Sequence, residues 1–233
     1  MDGEIDNNTL KFVIVGESGV GKTSLITQFI DNFFDEELQT STGASFNAKT
    51  LNFDNGKRVQ LQLWDTAGQE RYRSLTKNFF QNAAAVTFIY DITNQNSFDE
   101  IKNYWFKEIK ESAPENIVKA LVANKYDLFD KEEVDEGEAR KLAEENDTLF
   151  FLTSAKSSIG VKELFIGLVT KIMKWNSTVK LIENDNDNEN SLNLEKSGNY
   201  NHRKDTVSLN IKNSQQKKKE KKRMLLSLFI NNK

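Results

Sequence analysis

Short apolar runs alternate along this chain with stretches whose apolar positions recur at helical spacing. Leu10–Val15 reads as a buried strand and Lys22–Ile30 as the helix after it. Ser45–Phe53 and Arg58–Trp64 read as a hairpin around the Asp54-Asn55-Gly56 turn. Ala84–Asp91, Val118–Asn124 and Leu149–Thr153 read as three further strands, with helices at Ser97–Ala113, Gly137–Asn146 and Val161–Trp175. Strands alternating with helices predict an α/β fold: three layers, a mostly parallel six-stranded sheet with helices on both faces. Ligands of such sheets sit beyond the carboxyl ends of the strands.

The pattern stops near Val179. From there to Met224 aliphatic residues are sparse and Asn recurs, so too little apolar surface is available to offset the entropy of ordering. The chain therefore divides into a flexible N-terminus at 1–9, a folded domain at 10–177 and a disordered Asn-rich, basic tail at 178–233. Charge follows the same division. Residues 178–233 carry 12 basic and 7 acidic side chains, the remainder 20 and 28, which makes an acidic domain with a basic tail.

The whole chain has 32 basic and 35 acidic residues, so binding of nucleic acid by bulk charge is not expected. Cysteine is absent, which removes disulfides, thiolate metal sites and a cysteine nucleophile. With His202 the lone histidine, catalysis by imidazole is not expected either. The acidic start MDGEIDNNTL does not read as a signal peptide, and no run approaches the ~18 apolar residues of a membrane span. The expected location is the cytoplasm.

Three motifs carry chemistry, each at a predicted strand end. Gly16-Glu17-Ser18-Gly19-Val20-Gly21-Lys22-Thr23, followed by Ser24, leaves an apolar strand and opens a helix. Its glycines let backbone N–H groups wrap a phosphate at the positive helix end. Lys22 would reach the outer phosphates and the Thr23 hydroxyl would ligate Mg2+. Asn124-Lys125-Tyr126-Asp127 follows Ala120-Leu121-Val122-Ala123 and selects the base. Guanine presents N1–H and an N2 amine on one edge, and the Asp127 carboxylate is placed to accept both. Adenine lacks that pair and would leave a carboxylate unsatisfied. The Lys125 stem would lie over the ring. Asp65-Thr66-Ala67-Gly68-Gln69-Glu70 follows Leu61-Gln62-Leu63-Trp64. There Asp65 suits support of Mg2+, Gly68 offers its N–H to the terminal phosphate, and Gln69 can orient an attacking water.

These motifs together resemble a small GTPase of the Ras superfamily, most similar to its Rab branch. Gly-Glu-Ser-Gly-Val-Gly-Lys-Thr-Ser-Leu, Leu-Trp-Asp-Thr-Ala-Gly-Gln-Glu-Arg-Tyr, Ile-Tyr-Asp-Ile-Thr and Asn-Lys-Tyr-Asp-Leu carry the resemblance, which covers Lys11 to Trp175. It implies a P-loop NTPase fold of the Ras-like G-domain type. It also implies a GTP/GDP switch that hydrolyses GTP, and a role in vesicle trafficking. By that similarity Ser154-Ala155-Lys156 is the last guanine-contacting loop, with the Ala155 N–H on the base oxygen, and Phe34 lies against the base. Loops at Phe34–Phe46 and Asp65–Phe80 would order around the terminal phosphate, with Phe46, Trp64 and Phe79 facing effectors. No arginine in the matched motifs is placed to act in cis, so turnover should be slow without an activating protein, and GDP release should need an exchange factor. A monomer is expected.

Two departures from the family pattern stand out. The first loop reads Thr40-Ser41-Thr42-Gly43 where the family usually has Thr-Ile-Gly, so either Ser41 or Thr42 supplies the Mg2+-ligating hydroxyl. The chain also lacks the prenylated cysteines usual in Rab proteins. It carries instead six cations within Lys217–Arg223 followed by Met224-Leu225-Leu226-Ser227-Leu228-Phe229-Ile230, a pattern suited to the surface of an anionic membrane, with a nuclear-import-like basic run, nucleic-acid contact and a solvated tail with no role as the rival readings. Two other readings compete with the switch: a GTP-dependent binding module with negligible hydrolysis, and a P-loop kinase. Gln69 and Asp65 argue against the first, and the guanine-specific motif against the second.

Overall fold

The computed structural model describes residues 9–37, 45–53, 56–66 and 80–176. The expected flexible N-terminus through residue 8, the hairpin residues Asp54 and Asn55, and everything after residue 176 lie outside them. So do most residues of the two loops expected to order around the terminal phosphate.

Six strands form one sheet: β1 (Thr9–Val15), β2 (Ser45–Asn52), β3 (Arg58–Asp65), β4 (Ala85–Asp91), β5 (Val118–Asn124) and β6 (Leu149–Leu152). Their order across the sheet is β2-β3-β1-β4-β5-β6. Only β2–β3 is antiparallel; every other neighbouring pair is parallel. The sequence explains the gradient across the sheet. Central β4 is Ala-Val-Thr-Phe-Ile-Tyr-Asp and is buried along its whole length, as a parallel strand covered on both faces must be. Edge strand β2 alternates exposed and half-buried residues, as a strand with one wet face does.

Helices α1 (Lys22–Asp31), α2 (residues 95–112), α3 (Glu136–Glu145) and α4 (residues 161–176) cover the sheet. Helices α2 and α3 begin where a polar side chain caps them. Asn94 accepts from Ser97 N–H, which starts α2 at Gln95 rather than at Ser97 as the apolar pattern suggested. Asp135 accepts from Glu138 N–H at 2.6 Å and starts α3. Within α2, Ile101–Trp105 forms a π turn, closed by a bond from Phe106 N–H to Ile101 O. The strand expected through Thr153 stops at Leu152, because Thr153 O instead accepts from Tyr126 N–H. Residues Tyr126–Lys131 form a short 3-10 turn that apolar periodicity did not indicate.

The sheet separates two apolar cores. On one face Leu25, Ile26 and Phe29 of α1 meet Leu164, Phe165 and Leu168 of α4 over β-strand residues such as Ile14 and Ile89. On the other, Phe98, Ile101 and Trp105 of α2 meet Ala139 and Ala143 of α3 over Val86, Phe88 and Tyr90. Each fully buried Leu, Ile or Phe stabilises the fold by about 1.5–3 kcal/mol. The two cores hold the sheet rigid, so that its carboxyl edge is a fixed platform.

Candidate nucleotide site

The loop from Gly16 to Gly21 leaves the end of β1 and enters α1. Gly16, Gly19 and Gly21 take φ of +149°, +78° and +93°, which side chains rarely adopt. At Gly16 and Gly21 space is also exhausted. A Cβ on Gly16 would stand 2.1 Å from Ile89 O, and one on Gly21 2.5 Å from Asn124 Nδ2. A Cβ on Gly19 would meet nothing within 4 Å, so there the backbone conformation alone favours glycine. Helix α1 has no side-chain cap and no acidic residue in its first turn. Its N–H groups therefore keep their partial positive charge toward the loop.

Lys22 is 5% exposed, and its ammonium donates to Gly16 O at 2.8 Å and Glu17 O at 2.7 Å. It spans the mouth of the loop. Next to it, Thr23 Oγ1 donates to Asp65 Oδ2 at 2.5 Å, bringing together a hydroxyl from α1 and a fully buried carboxylate from the end of β3. Thr66 fastens that strand end by donating to Ile14 O from both its N–H and its hydroxyl. One hydroxyl and one carboxylate are hard oxygen donors of the kind Mg2+ takes when substrate phosphates complete its shell. Among the described residues no cluster of three or more His, Cys, Asp or Glu side chains is placed to hold a metal ion.

Asn124 ties the two halves of the site together. Its amide N donates to Val20 O in the glycine loop at 2.8 Å, and its amide O accepts from Thr153 Oγ1 at 3.1 Å. Lys125 follows with a left-handed φ of +63°, and its ammonium pairs with Asp91 Oδ2 at 2.6 Å. Asp91 is held in turn by Thr93, whose N–H and hydroxyl both donate to Oδ1. Asp127 accepts from Ser154 Oγ at 2.5 Å, and the same hydroxyl accepts from Ser157 N–H. This joins the Asp127 turn to the loop after β6, which contains the buried Ala155. Lys156 forms an ion pair with Glu36 that raises its pKa, first through the hydrogen bond and then through the charge of Glu36. Phe34 is half-buried and packs against the core beside α1, whereas neighbouring Phe33 is exposed.

The structure thus brings Gly16 through Ser24, Asp65, Asn124, Lys125, Asp127, Ser154, Ala155 and Lys156 to one edge of the sheet. Ser41, Thr42, Gly68 and Gln69 lie outside the described residues, as does Phe79. Phe46 is exposed and meets Trp64 edge-on at 5.4 Å; both stand in the sheet, so the first expected loop ends before Ser45. Two supporting residues escaped the sequence reading. Thr153 orients Asn124 and Asp91 holds Lys125, and only the strand register, which sets Asp91 beside Asn124, reveals the second.

The sequence model of the Ras family matches residues 11–174, most of the chain and the entire site. The chain belongs to the Ras family. Within it the similarity is to Rab proteins. It is 43% identical over 177 residues to Ras-related protein Rab-18-B of Danio rerio, covering 74% of this chain and 85% of that one. It is 39% identical over 165 residues to Ras-related protein Rab-8B of Dictyostelium discoideum, covering 71% and 80%. It is 40% identical over 167 residues to Ras-related protein Rab-13 of Rattus norvegicus, covering 72% and 81%. This Ras-family chain is accordingly a small GTPase with a guanine-nucleotide site. The six-stranded sheet and its one antiparallel edge strand are the expected G-domain architecture. No helix among the described residues is long and apolar enough to cross a membrane.

Proposed function

We propose that the protein is a GTP/GDP-dependent switch that hydrolyses GTP slowly and serves vesicle trafficking. The observation that carries the nucleotide assignment is Asn124, which holds the phosphate-type loop through Val20 O and the base-type loop through Thr153 at once. In this reading Asp127 accepts the guanine N1–H and N2 amine, and its fixed bond from Ser154 aims the carboxylate. The Ala155 N–H meets the base oxygen, Lys125 covers one face of the ring and Phe34 its edge. The glycine loop and the α1 N–H groups bind the phosphates. Lys22 leaves its two loop carbonyls and balances the growing negative charge on the terminal phosphate.

Thr23 and Asp65, with Ser41 or Thr42, would hold Mg2+, which when bound neutralises charge on the phosphate oxygens. Gln69 orients the attacking water and Gly68 N–H marks the terminal phosphate. The nucleotide-contacting set contains no arginine, so an activating protein would supply ~10³–10⁵ in rate. Exchange factor and effectors are the other partners, with Phe46 and Trp64 on the effector face. The trafficking role follows from likeness to Rab proteins. The basic and apolar stretch 217–230 is the segment expected to touch anionic membrane, and the protein is expected to be a cytoplasmic monomer that reaches membranes peripherally.

Binding and single-turnover hydrolysis, measured with GTP and with ATP in parallel, test this reading. Tight GTP and GDP binding with slow phosphate release and no ATP binding is expected. Tight GTP binding with no phosphate release, even with an activating protein added, would leave a binding module instead. Salt-sensitive co-sedimentation with anionic vesicles tests the membrane contact.

A further inference from the structure

We infer that Gln28 is a positioning residue that clamps the base loop 154–158 to the end of α1 and so sets how long a guanine nucleotide stays bound. The inference rests on the guanine-site reading above. Gln28 is 6% exposed, and its side-chain amide lies between Ser158 Oγ at 2.7 Å and two main-chain carbonyls, Ala155 O at 3.1 Å and Phe33 O at 3.2 Å. Carbonyls only accept, so the NH2 group faces them and the amide oxygen takes the Ser158 hydroxyl. One buried side chain therefore holds the base loop at Ala155 and at Ser158 and the chain leaving α1 at Phe33, while its amide oxygen also faces the Asn32 side-chain amide at 3.1 Å.

The loop's other fastenings tie it to itself, to the Asp127 turn and to Glu36, and none of these reaches α1. Ser154 N–H donates to Ile159 O, Ser154 Oγ to Asp127, and Ser157 N–H back to Ser154 Oγ. Ser158 also sits at φ +64°, a left-handed conformation unusual for serine, which its bond to Gln28 helps to hold. Ala155 is the residue whose N–H is assigned to the base oxygen, and a clamp on its carbonyl fixes the adjoining peptide plane and so restrains the backbone next to that donor. The Lys156–Glu36 ion pair joins the same two segments at the surface. Both side chains there are more than half exposed, and salt screens such a pair. The buried clamp is the one that counts.

The test uses the full chain loaded with a fluorescent GDP analogue, chased with excess GDP. Gln28→Glu keeps the shape but turns a carboxylate oxygen toward two carbonyls, while Ser158→Ala removes one bond from an exposed loop position. Release should speed up about tenfold in the first and about threefold in the second, the scale of one or two lost hydrogen bonds. The association rate and single-turnover hydrolysis of preloaded GTP should stay within about twofold, a split that general loosening of the fold would not give. Unchanged release in both variants, with unchanged melting, overturns the clamp. So does an equal change in release and hydrolysis. If Gln28→Glu does not fold, Ser158→Ala decides by itself. A wild-type chain that fails to retain the analogue overturns the guanine-site reading and the clamp with it.

Discussion

Gly21 stands at φ +93° with Asn124 Nδ2 in the space a Cβ would need. Gly19, two residues earlier, stands at φ +78° with open space around it. Alanine at Gly19 should cost only the backbone conformation, about 1–2 kcal/mol. Alanine at Gly21 adds a collision with the side chain that joins the two loops, so its loss of stability should exceed that of Gly19→Ala, with nucleotide affinity falling alongside. Urea midpoints and nucleotide titrations of the two variants check the order. At this scale the sequence was most legible where chemistry is local. The glycines, Lys22, Thr23, Asn124 and Asp127 follow one another at spacings that mean little except a nucleotide site. Thr153, Asp91 and Gln28 were not legible in that way, because each acts on a partner far along the chain that only the sheet register brings near.

Among the elements, α1 is closed at its C-terminal end from outside. Lys49 of β2 donates to Phe29 O at 2.5 Å and Ile30 O at 3.1 Å and lies 4.7 Å from the Phe29 ring centre. It satisfies carbonyls that the helix leaves open and places a cation at the negative end of the dipole. Lys49→Met should cost about 1–2 kcal/mol, read as a shift in urea midpoint at constant slope.

Strand β4 carries a titration of its own. Burial, reinforced by Glu132 and Glu136 and opposed by Arg140, pushes the Tyr90 phenol well above its ordinary 10. The folded chain keeps that proton when the unfolded chain releases it, so stability is complete below pH 10 and falls as pH rises beyond it. Tyr90→Phe should therefore lose less stability than wild type between about pH 9 and about pH 11, a difference in which the other titrating groups cancel. Among the described residues periodicity gave the six strands and helices α1 to α4, but not the 3-10 turn at Tyr126–Lys131. It gave both ends of β5 but missed the start of α2, its π turn and the end of β6, since Asn94, the Ile101–Trp105 π turn and the bend at Thr153 depend on single hydrogen bonds rather than on apolar spacing.

For the whole molecule, the α/β class and its mostly parallel sheet followed from alternating strand and helix signals. The antiparallel placement of β2 beside β3 was legible because the five residues between Asn52 and Arg58 leave no room for a crossover. The sheet order, with β1 between β3 and β4, was not legible from periodicity, because pairing between distant strands leaves no local trace.

One sheet with an apolar core on each face also behaves as a partition in a thermodynamic cycle. Ile101 and Leu168 lie in different cores. Truncating both should cost the sum of the single losses to within about 0.3–0.5 kcal/mol. Phe29 and Phe165 share a core and stack with ring centres 4.1 Å apart, so their double substitution should depart from the sum by about 0.5–1.5 kcal/mol. Equal coupling for both pairs would mean that strain crosses the sheet. Coupling confined to the second pair would mean that this small domain stores its stability in two separate accounts, and that damage to the face carrying α2 and α3 leaves the packing of α1 beneath the glycine loop intact.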